Sequence, residues 1–101
     1  MKNYDRTTKL AKLSAIAFTD HARQRMTGRR INQSDVENAL LFGREVHTRG
    51  ASIFVIGRKE VTKYLPKGVD LRHQEGLQVV CSPGGAVLTV YRNNDFSALK
   101  H

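Results

Sequence analysis

The sequence has few of the residues that cross-link small proteins or mark disordered chains. Its 101 residues include one cysteine, Cys81, two prolines and no tryptophan. A single cysteine excludes an internal disulfide and suits a reducing compartment, so we expect a cytoplasmic protein in which Cys81 is a small apolar strand residue. The hydrophobic fraction of 40% is too high for a disordered chain and is enough for one domain of ordinary size.

Long apolar runs and spaced metal ligands are also missing. No stretch approaches the ~18 apolar residues of a membrane-spanning helix, and the first residues lack the continuous apolar run of a secretory signal. The histidines are scattered, and there is no P-loop, dinucleotide fingerprint, nucleophile elbow or pair of carboxylates. We therefore expect no membrane contact, no metal site and no cofactor.

Acidic residues are scarce. Lys and Arg number 17 against 9 Asp and Glu, which gives a net charge of +8 and a pI of about 10.2. The first thirty residues carry eight basic and two acidic side chains. Concentrated positive charge is typical of proteins that bind polyanions, and RNA is the first candidate. The alternative is a basic protein whose charge serves solubility alone.

The order of local patterns predicts an α+β fold with N-terminal helices packed on one face of a small antiparallel β-sheet. The single domain would comprise a basic leading segment (1–17), an αα-hairpin (18–43), a β-rich part (44–92) and a C-terminal tail (93–101). Residues 14–18 suit either a short strand or the end of a leading helix.

Capping residues delimit the two helices of the hairpin. Thr19 or Asp20 would be the N-cap of the first helix, which would end with Gly28 at the C′ position. Asn32 would cap the second helix with Asp35 three residues later, and Gly43 would end it.

The second half changes to strand patterns. Strands are expected at 45–48 and 52–56, around Arg49 and Gly50. Residues 58–65 suit a strand or a helix, closed by Pro66 and Gly68. The clearest hairpin joins 77–82 to 86–92 through a type II turn with Pro83 and Gly84 at its centre.

That hairpin predicts two different sheet faces. If Val79 is opposite Leu88 and Leu77 is opposite Val90, these four residues and Cys81 form an apolar face. The other face would then combine polar with apolar side chains, namely Gln78, Val80, Val87, Thr89 and Tyr91. Such a face suits either a binding site or a half-exposed sheet surface.

One helical pair has the groups needed to cleave RNA. His21 and Arg25 are four residues apart and would lie one above the other, while Ala22 and Met26 point into the core. A histidine can transfer protons near neutral pH, and an arginine can bind and stabilise phosphate during attack by the 2′-hydroxyl. The alternative is a helix start with a capping histidine and solvated arginines.

Further candidates for the same site lie along the chain. Tyr91 would stack on a base or position a phosphate, or it is an ordinary cross-strand aromatic. Other residues would contact the nucleic acid or are simply solvated, namely Arg23, Arg29, Arg58, Lys59, Thr89 and Arg92.

The run FTDHARQRMTGRRINQSDVENALLFG resembles the opening motif of a small family of uncharacterised bacterial domains. The shared pattern is F…HAxxRMxxRxIxxxDVxxAL…G, and the later segments IFVIGRKEV and VLTVYRN resemble that family's strands. The family is in turn similar to the ribonuclease-toxin fold of barnase, the tRNA-cleaving colicins, RelE and HigB. The resemblance implies N-terminal helices on an antiparallel sheet and metal-independent RNA cleavage by a toxin that an antitoxin restrains. It implies His21 and Arg25 as first candidates, with Thr89, Tyr91 and Arg92 on the sheet.

Three hypotheses follow from the sequence. The leading one is a ribonuclease-toxin-like protein that cleaves RNA, free or on the ribosome, with His21, Arg25 and Tyr91 as catalytic residues. The second is a non-catalytic RNA- or DNA-binding module. The third is an interaction domain for an acidic antitoxin-like protein.

Overall fold

Helices and an antiparallel sheet form the fold, as the sequence predicts. The computed structural model describes residues 16–93, so the predictions for residues 1–15 and 94–101 lie outside the described part. The helices are α1 (Asp20–Gly28), α2 (Gln33–Phe42) and α3 (Arg58–Tyr64). The strands are β1 (Arg44–Thr48), β2 (Ala51–Val55), β3 (Leu77–Cys81) and β4 (Val87–Arg92), in the order β1-β2-β3-β4. Short 3₁₀ turns follow at Leu65–Lys67 and Arg72–Gln74.

Thr19 fixes the start of α1 to the sheet. Its Oγ1 accepts a hydrogen bond from the Ala22 N–H at 3.0 Å, as expected of an N-cap, and donates one to the Leu88 carbonyl at 3.0 Å. The neighbouring backbone continues this contact, because Phe18 forms an isolated parallel bridge with Val87. The start of α1 is therefore held at the edge of β4.

The end of α1 differs from the prediction. Gly28 is its last residue, but the C′ position belongs to Arg30, which adopts φ +55°. The Ile31 N–H bonds to the Met26 carbonyl at 2.8 Å and the Arg30 N–H to that of Thr27 at 3.3 Å. This pair of bonds is a Schellman motif with an arginine where glycine is usual.

The caps of α2 agree with the sequence. The Asn32 side chain accepts from the Asp35 N–H at 2.9 Å, and Asp35 Oδ2 accepts from the Asn32 N–H at 3.0 Å, which completes a capping box. Gly43 ends the helix and donates its N–H to the Ala39 carbonyl at 2.8 Å.

The ambiguous segment 58–65 is mainly helical. Gly57 is the N-cap of α3, and its N–H donates to Glu60 Oε1 at 2.8 Å. Glu60 is an acidic residue in the first turn, a position where negative charge stabilises a helix. Pro66 lies within the following 3₁₀ turn, and Gly68 closes it with φ +86°. The predicted β-rich part therefore contains a helix between β2 and β3.

The helices cover one face of the sheet. Core residues of α1, α2 and their linker (Ala22, Ile31, Val36, Ala39) pack with the face of β3 and β4 that carries Leu77, Val79, Cys81, Val87 and Val90. Because cross-strand partners share a face, the register places Gln78, Val80, Thr89 and Tyr91 on the other face.

The hairpin register corrects the sequence prediction. Val79 pairs with Val90 and Leu77 with Arg92, and the register shifts where Cys81 pairs with Val87. Leu88 is the extra residue of this irregularity, so Val87 lies on the core face instead of the opposite one. The turn also differs, since Gly85 has φ +95° and Gly84 has no positive φ. A type II turn would require positive φ at Gly84, so the predicted turn type is wrong.

Candidate nucleic-acid interface

A row of one histidine and two arginines runs along one flank of α1 and its C-terminal end. His21 and Arg25 are four residues apart and lie about one turn apart on the same side of α1, and Arg29, the C-cap residue directly after the helix, follows at the same spacing. All three are exposed, while Ala22 is fully buried and Met26 is half-buried against the core. We call His21, Arg25 and Arg29 the α1 flank.

The positive charges of the α1 flank have no carboxylate partner among residues 16–93. The ion pairs in this part join Arg44 to Glu60, His47 to Glu45 and Arg72 to Asp70. The single acidic residue of α1, Asp20, lies in its first turn. Arg25 and Arg29 are therefore available to an anion from outside the described chain.

Arg72 provides a contrast to these free arginines. Its guanidinium donates to both Asp70 oxygens at 2.9 Å, and this hydrogen bonding holds the Asp70 carboxyl pKa well below its usual range. The same contacts raise the pKa of Arg72. Because its charge is matched locally, Arg72 is a poor candidate for phosphate binding.

Arg23 lies on another side of α1 from the flank. Its guanidinium carbon is 5.3 Å from the centroid of the Phe18 ring, a distance at which a cation interacts with an aromatic face. Arg23 and Arg29 are each three residues from Met26, which is slightly less than one turn, so they lie on opposite sides of it. The apolar stripe that contains Met26 therefore separates Arg23 from the α1 flank.

The structure does not bring Thr89 and Tyr91 together with His21 and Arg25. Both sheet residues are half-buried and lie on the face opposite the helices, whereas α1 packs over the core face beside β4. The sheet register therefore places Tyr91 apart from His21 and Arg25.

Arg92 is at the end of β4, on the helix side of the sheet. It pairs with Leu77, and its Nη1 donates to the His73 carbonyl at 2.9 Å. That acceptor is neutral, so the hydrogen bond orients the guanidinium without cancelling its charge. The neighbouring Gln74 side chain donates to Asp35 Oδ1 at 2.7 Å, so the start of α2 and the end of β4 meet at the same 3₁₀ turn.

Arg58 and Lys59 begin α3 and lie away from α1. With Thr62 and Lys63 they line a shallow depression in the surface. Glu60 of the same helix is 4.0 Å from Arg44 on the edge strand β1, and the Tyr64 ring contacts the Phe42 ring at the end of α2. Since α1 contacts β4, the two groups of basic residues lie toward opposite edges of the sheet.

Two basic residues of the second half were not among the predicted site residues. Lys63 and Lys67 continue the four-residue spacing that starts at Lys59. That spacing could have identified Lys63 once residues 58–64 were assigned to a helix, whereas Lys67 lies in the 3₁₀ turn that follows.

Residues 16–93 contain no group of three or more side chains arranged to hold a metal ion. Within the same range, no helix has the length and apolar character needed to cross a bilayer.

The fold and its surface define a small α+β domain with a basic helix beside one edge of an antiparallel sheet. Residues 18–92 match the family described as Domain of unknown function (DUF4258), and the chain belongs to this family. The match starts at Phe18, just before α1, and ends at the last residue of β4. No curated protein and no solved structure matched the chain.

Proposed function

We propose that the protein binds RNA through α1 and cleaves it in the manner of a ribonuclease toxin. The observation that supports this proposal best is the α1 flank, where His21 lies one turn from Arg25 and neither arginine of the flank has a carboxylate partner in the described residues. Planar guanidinium groups bind phosphate oxygens in a fixed geometry, so this flank suits a phosphodiester backbone.

The proposed reaction uses the RNA's own 2′-hydroxyl as nucleophile. His21 removes the hydroxyl proton, the 2′-oxygen bonds to phosphorus, and the bond from phosphorus to the 5′-oxygen breaks. Arg25 stabilises the negative charge on the phosphate, and water protonates the departing 5′-oxygen. The products are a 2′,3′-cyclic phosphate and a 5′-hydroxyl end, and no metal takes part.

Tyr91 has no place in this step, because it lies on the other face of the sheet. That separation also favours a second candidate, a module that binds RNA at α1 without cleaving it. Both candidates share the α1 flank as binding surface and differ only in whether the RNA remains intact. An acidic antitoxin would inhibit either one by covering the same flank.

Salt-dependent RNA binding tests the shared part of the proposal. The double variant Arg25→Gln/Arg29→Gln should bind a labelled 20-nucleotide oligouridylate more weakly, with the slope of log affinity against log salt reduced by about 1.4, since each phosphate contact to a single strand contributes roughly 0.7. Arg72→Gln is the control, because Asp70 already neutralises that charge. An unchanged slope in the double variant would remove the α1 flank from RNA binding.

A further inference from the structure

A second basic surface lies on α3 and the 3₁₀ turn that follows it. Residues 58–67 carry four exposed cations, namely Arg58, Lys59, Lys63 and Lys67. The acidic residue of this segment, Glu60, is 8% exposed and is occupied by the Gly57 N–H at 2.8 Å and by Arg44 at 4.0 Å. None of the four cations has a carboxylate partner among the described residues.

Two lysines of this segment lie close to one aromatic ring, and a third precedes them at the same spacing. Lys59, Lys63 and Lys67 follow one another at intervals of four residues, and Tyr64 lies between the last two. The Lys63 and Lys67 ammonium groups are 5.2 Å and 5.5 Å from the Tyr64 ring centroid. The ring is itself held by Phe42, with centroids 5.0 Å apart. We call Lys59, Lys63, Tyr64 and Lys67 the α3 surface.

Positive charge is concentrated on this short segment. Two ammonium groups that share one ring repel each other, and Lys59 and Arg58 add further positive charge from the preceding turn. A bound phosphate would offset this repulsion, and a ring flanked by cations offers a base a surface on which to stack.

The α3 surface is distinct from the α1 flank. Glu60 connects α3 to β1, whereas α1 packs against β4, and these are the two edge strands of the sheet. Neighbouring strands lie about 4.8 Å apart, so the edges are separated by roughly 14 Å. A ligand that contacts both surfaces must therefore be extended.

We propose that the α3 surface is a second phosphate-binding surface for the RNA strand that contacts α1. This inference rests on the proposed RNA-binding function and extends it to a two-part interface. A protein partner is disfavoured because lysine is depleted from the cores of protein interfaces, and Leu65 is the sole exposed large hydrophobic residue of the described part. An anionic membrane is disfavoured because one exposed leucine is far less than the apolar face that interfacial helices use.

The test is the affinity of a triple variant for a labelled 20-nucleotide oligouridylate. Lys59→Gln/Lys63→Gln/Lys67→Gln should bind at least ~10-fold more weakly at 0.1 M salt, and its salt slope should fall by about 2. The triple Lys→Arg variant keeps the charge and should retain wild-type affinity. Circular dichroism should be unchanged, because all three side chains are exposed.

A matched single substitution separates local contact from overall charge. Arg49 is exposed in the turn between β1 and β2, at the opposite end of β2 from α3. Lys63→Gln should weaken binding several-fold, while Arg49→Gln removes the same charge with less than a twofold effect. Equal losses in the two variants would overturn the proposal.

The outcomes distinguish this inference from the function on which it rests. Wild-type affinity in the triple glutamine variant, with binding still lost in Arg25→Gln/Arg29→Gln, would overturn the α3 surface alone and favour an acidic protein or an anionic lipid there. No RNA binding by the wild-type protein would overturn both proposals.

Discussion

The side-chain amide of Gln74 donates a 2.7 Å hydrogen bond to Asp35 Oδ1, which connects the turn before β3 to the first turn of α2. The other Asp35 oxygen accepts from the Asn32 N–H at 3.0 Å. One carboxylate therefore caps a helix and fixes that helix to the loop 39 residues away. Gln74 is only 7% exposed, so its amide depends on this acceptor.

Removing the Asp35 carboxylate should destabilise the protein. Asp35→Ala loses half of the capping box and leaves the Gln74 amide without its acceptor, so we expect the free energy of unfolding to fall by about 2 kcal/mol. Glu37→Ala is the control on the same helix, since its contact with Gln33 is exposed, and it should cost less than about 0.5 kcal/mol. Urea denaturation measures both, and equal losses would show that Asp35 has no special role.

Gly43 and Gly28 should respond to alanine in opposite directions. A Cβ at Gly43 would overlap the Ala39 carbonyl oxygen and lie 3.1 Å from that of Val55, both backbone atoms that cannot move independently. We expect Gly43→Ala to cost more than about 2 kcal/mol. Gly28 has open space around it and ends α1, so Gly28→Ala should stabilise by about 0.5–1 kcal/mol. Thermal unfolding of the two variants should shift in opposite directions, and a stable Gly43→Ala protein would refute the close approach.

The left-handed conformation of Arg30 predicts that a glycine there is stabilising. Non-glycine residues at φ +55° are strained by about 1 kcal/mol, and glycine is not. Arg30→Gly should therefore raise the free energy of unfolding by about 0.5–1 kcal/mol. Arg29 has φ −110° and gains no such relief, so Arg29→Gly, which removes the same charge, should not stabilise the protein. Chemical denaturation that finds the two variants equally stable would contradict the Schellman geometry.

Burial of Cys81 predicts a loss of stability at high pH. Burial, with a smaller contribution from Glu45, raises the thiol pKa from 9.0 to about 11. Between these two values the unfolded chain has released the proton and the folded one has kept it, so the free energy of unfolding decreases as pH rises. The slope should approach 1.4 kcal/mol per pH unit. The Cys81→Ala variant should lack this pH-dependent decrease when the free energy of unfolding is measured from pH 8.5 to 11. Parallel curves for wild type and variant would exclude a contribution from Cys81.

Local signals predicted the elements near their caps. Asn32 and Gly43 were identified correctly, and Thr19 was one of two candidate N-caps, because a capping side chain or a helix stop is encoded within a few residues. The predicted C′ residue of α1 was wrong because glycine is usual at that position, and no local signal indicates that Arg30 occupies it. Residues 58–64 are ambiguous in the sequence because their apolar positions are too few to define a period.

Contacts distant in sequence explain the wrong hairpin register. Val87 accepts from the Thr19 N–H at 3.1 Å and donates to the Ala17 carbonyl at 2.9 Å, and this pairing with the chain before α1 accompanies the irregularity at Leu88. The candidate site could be predicted only in part for the same reason. The spacing of His21 and Arg25 is local in sequence, but the position of Tyr91 depends on which face of the sheet the helices cover.

The most direct test of the proposed function is incubation of the purified protein with total RNA in EDTA, beside His21→Ala and the control His73→Ala. His73 is exposed, and its backbone carbonyl rather than its side chain accepts the hydrogen bond from Arg92, so its loss should leave activity unchanged. The account predicts cleavage by wild type and His73→Ala that leaves 2′,3′-cyclic phosphate ends, and a loss of at least ~100-fold in His21→Ala. A folded His21→Ala protein that cleaves as fast as wild type would contradict the assignment of proton transfer to His21.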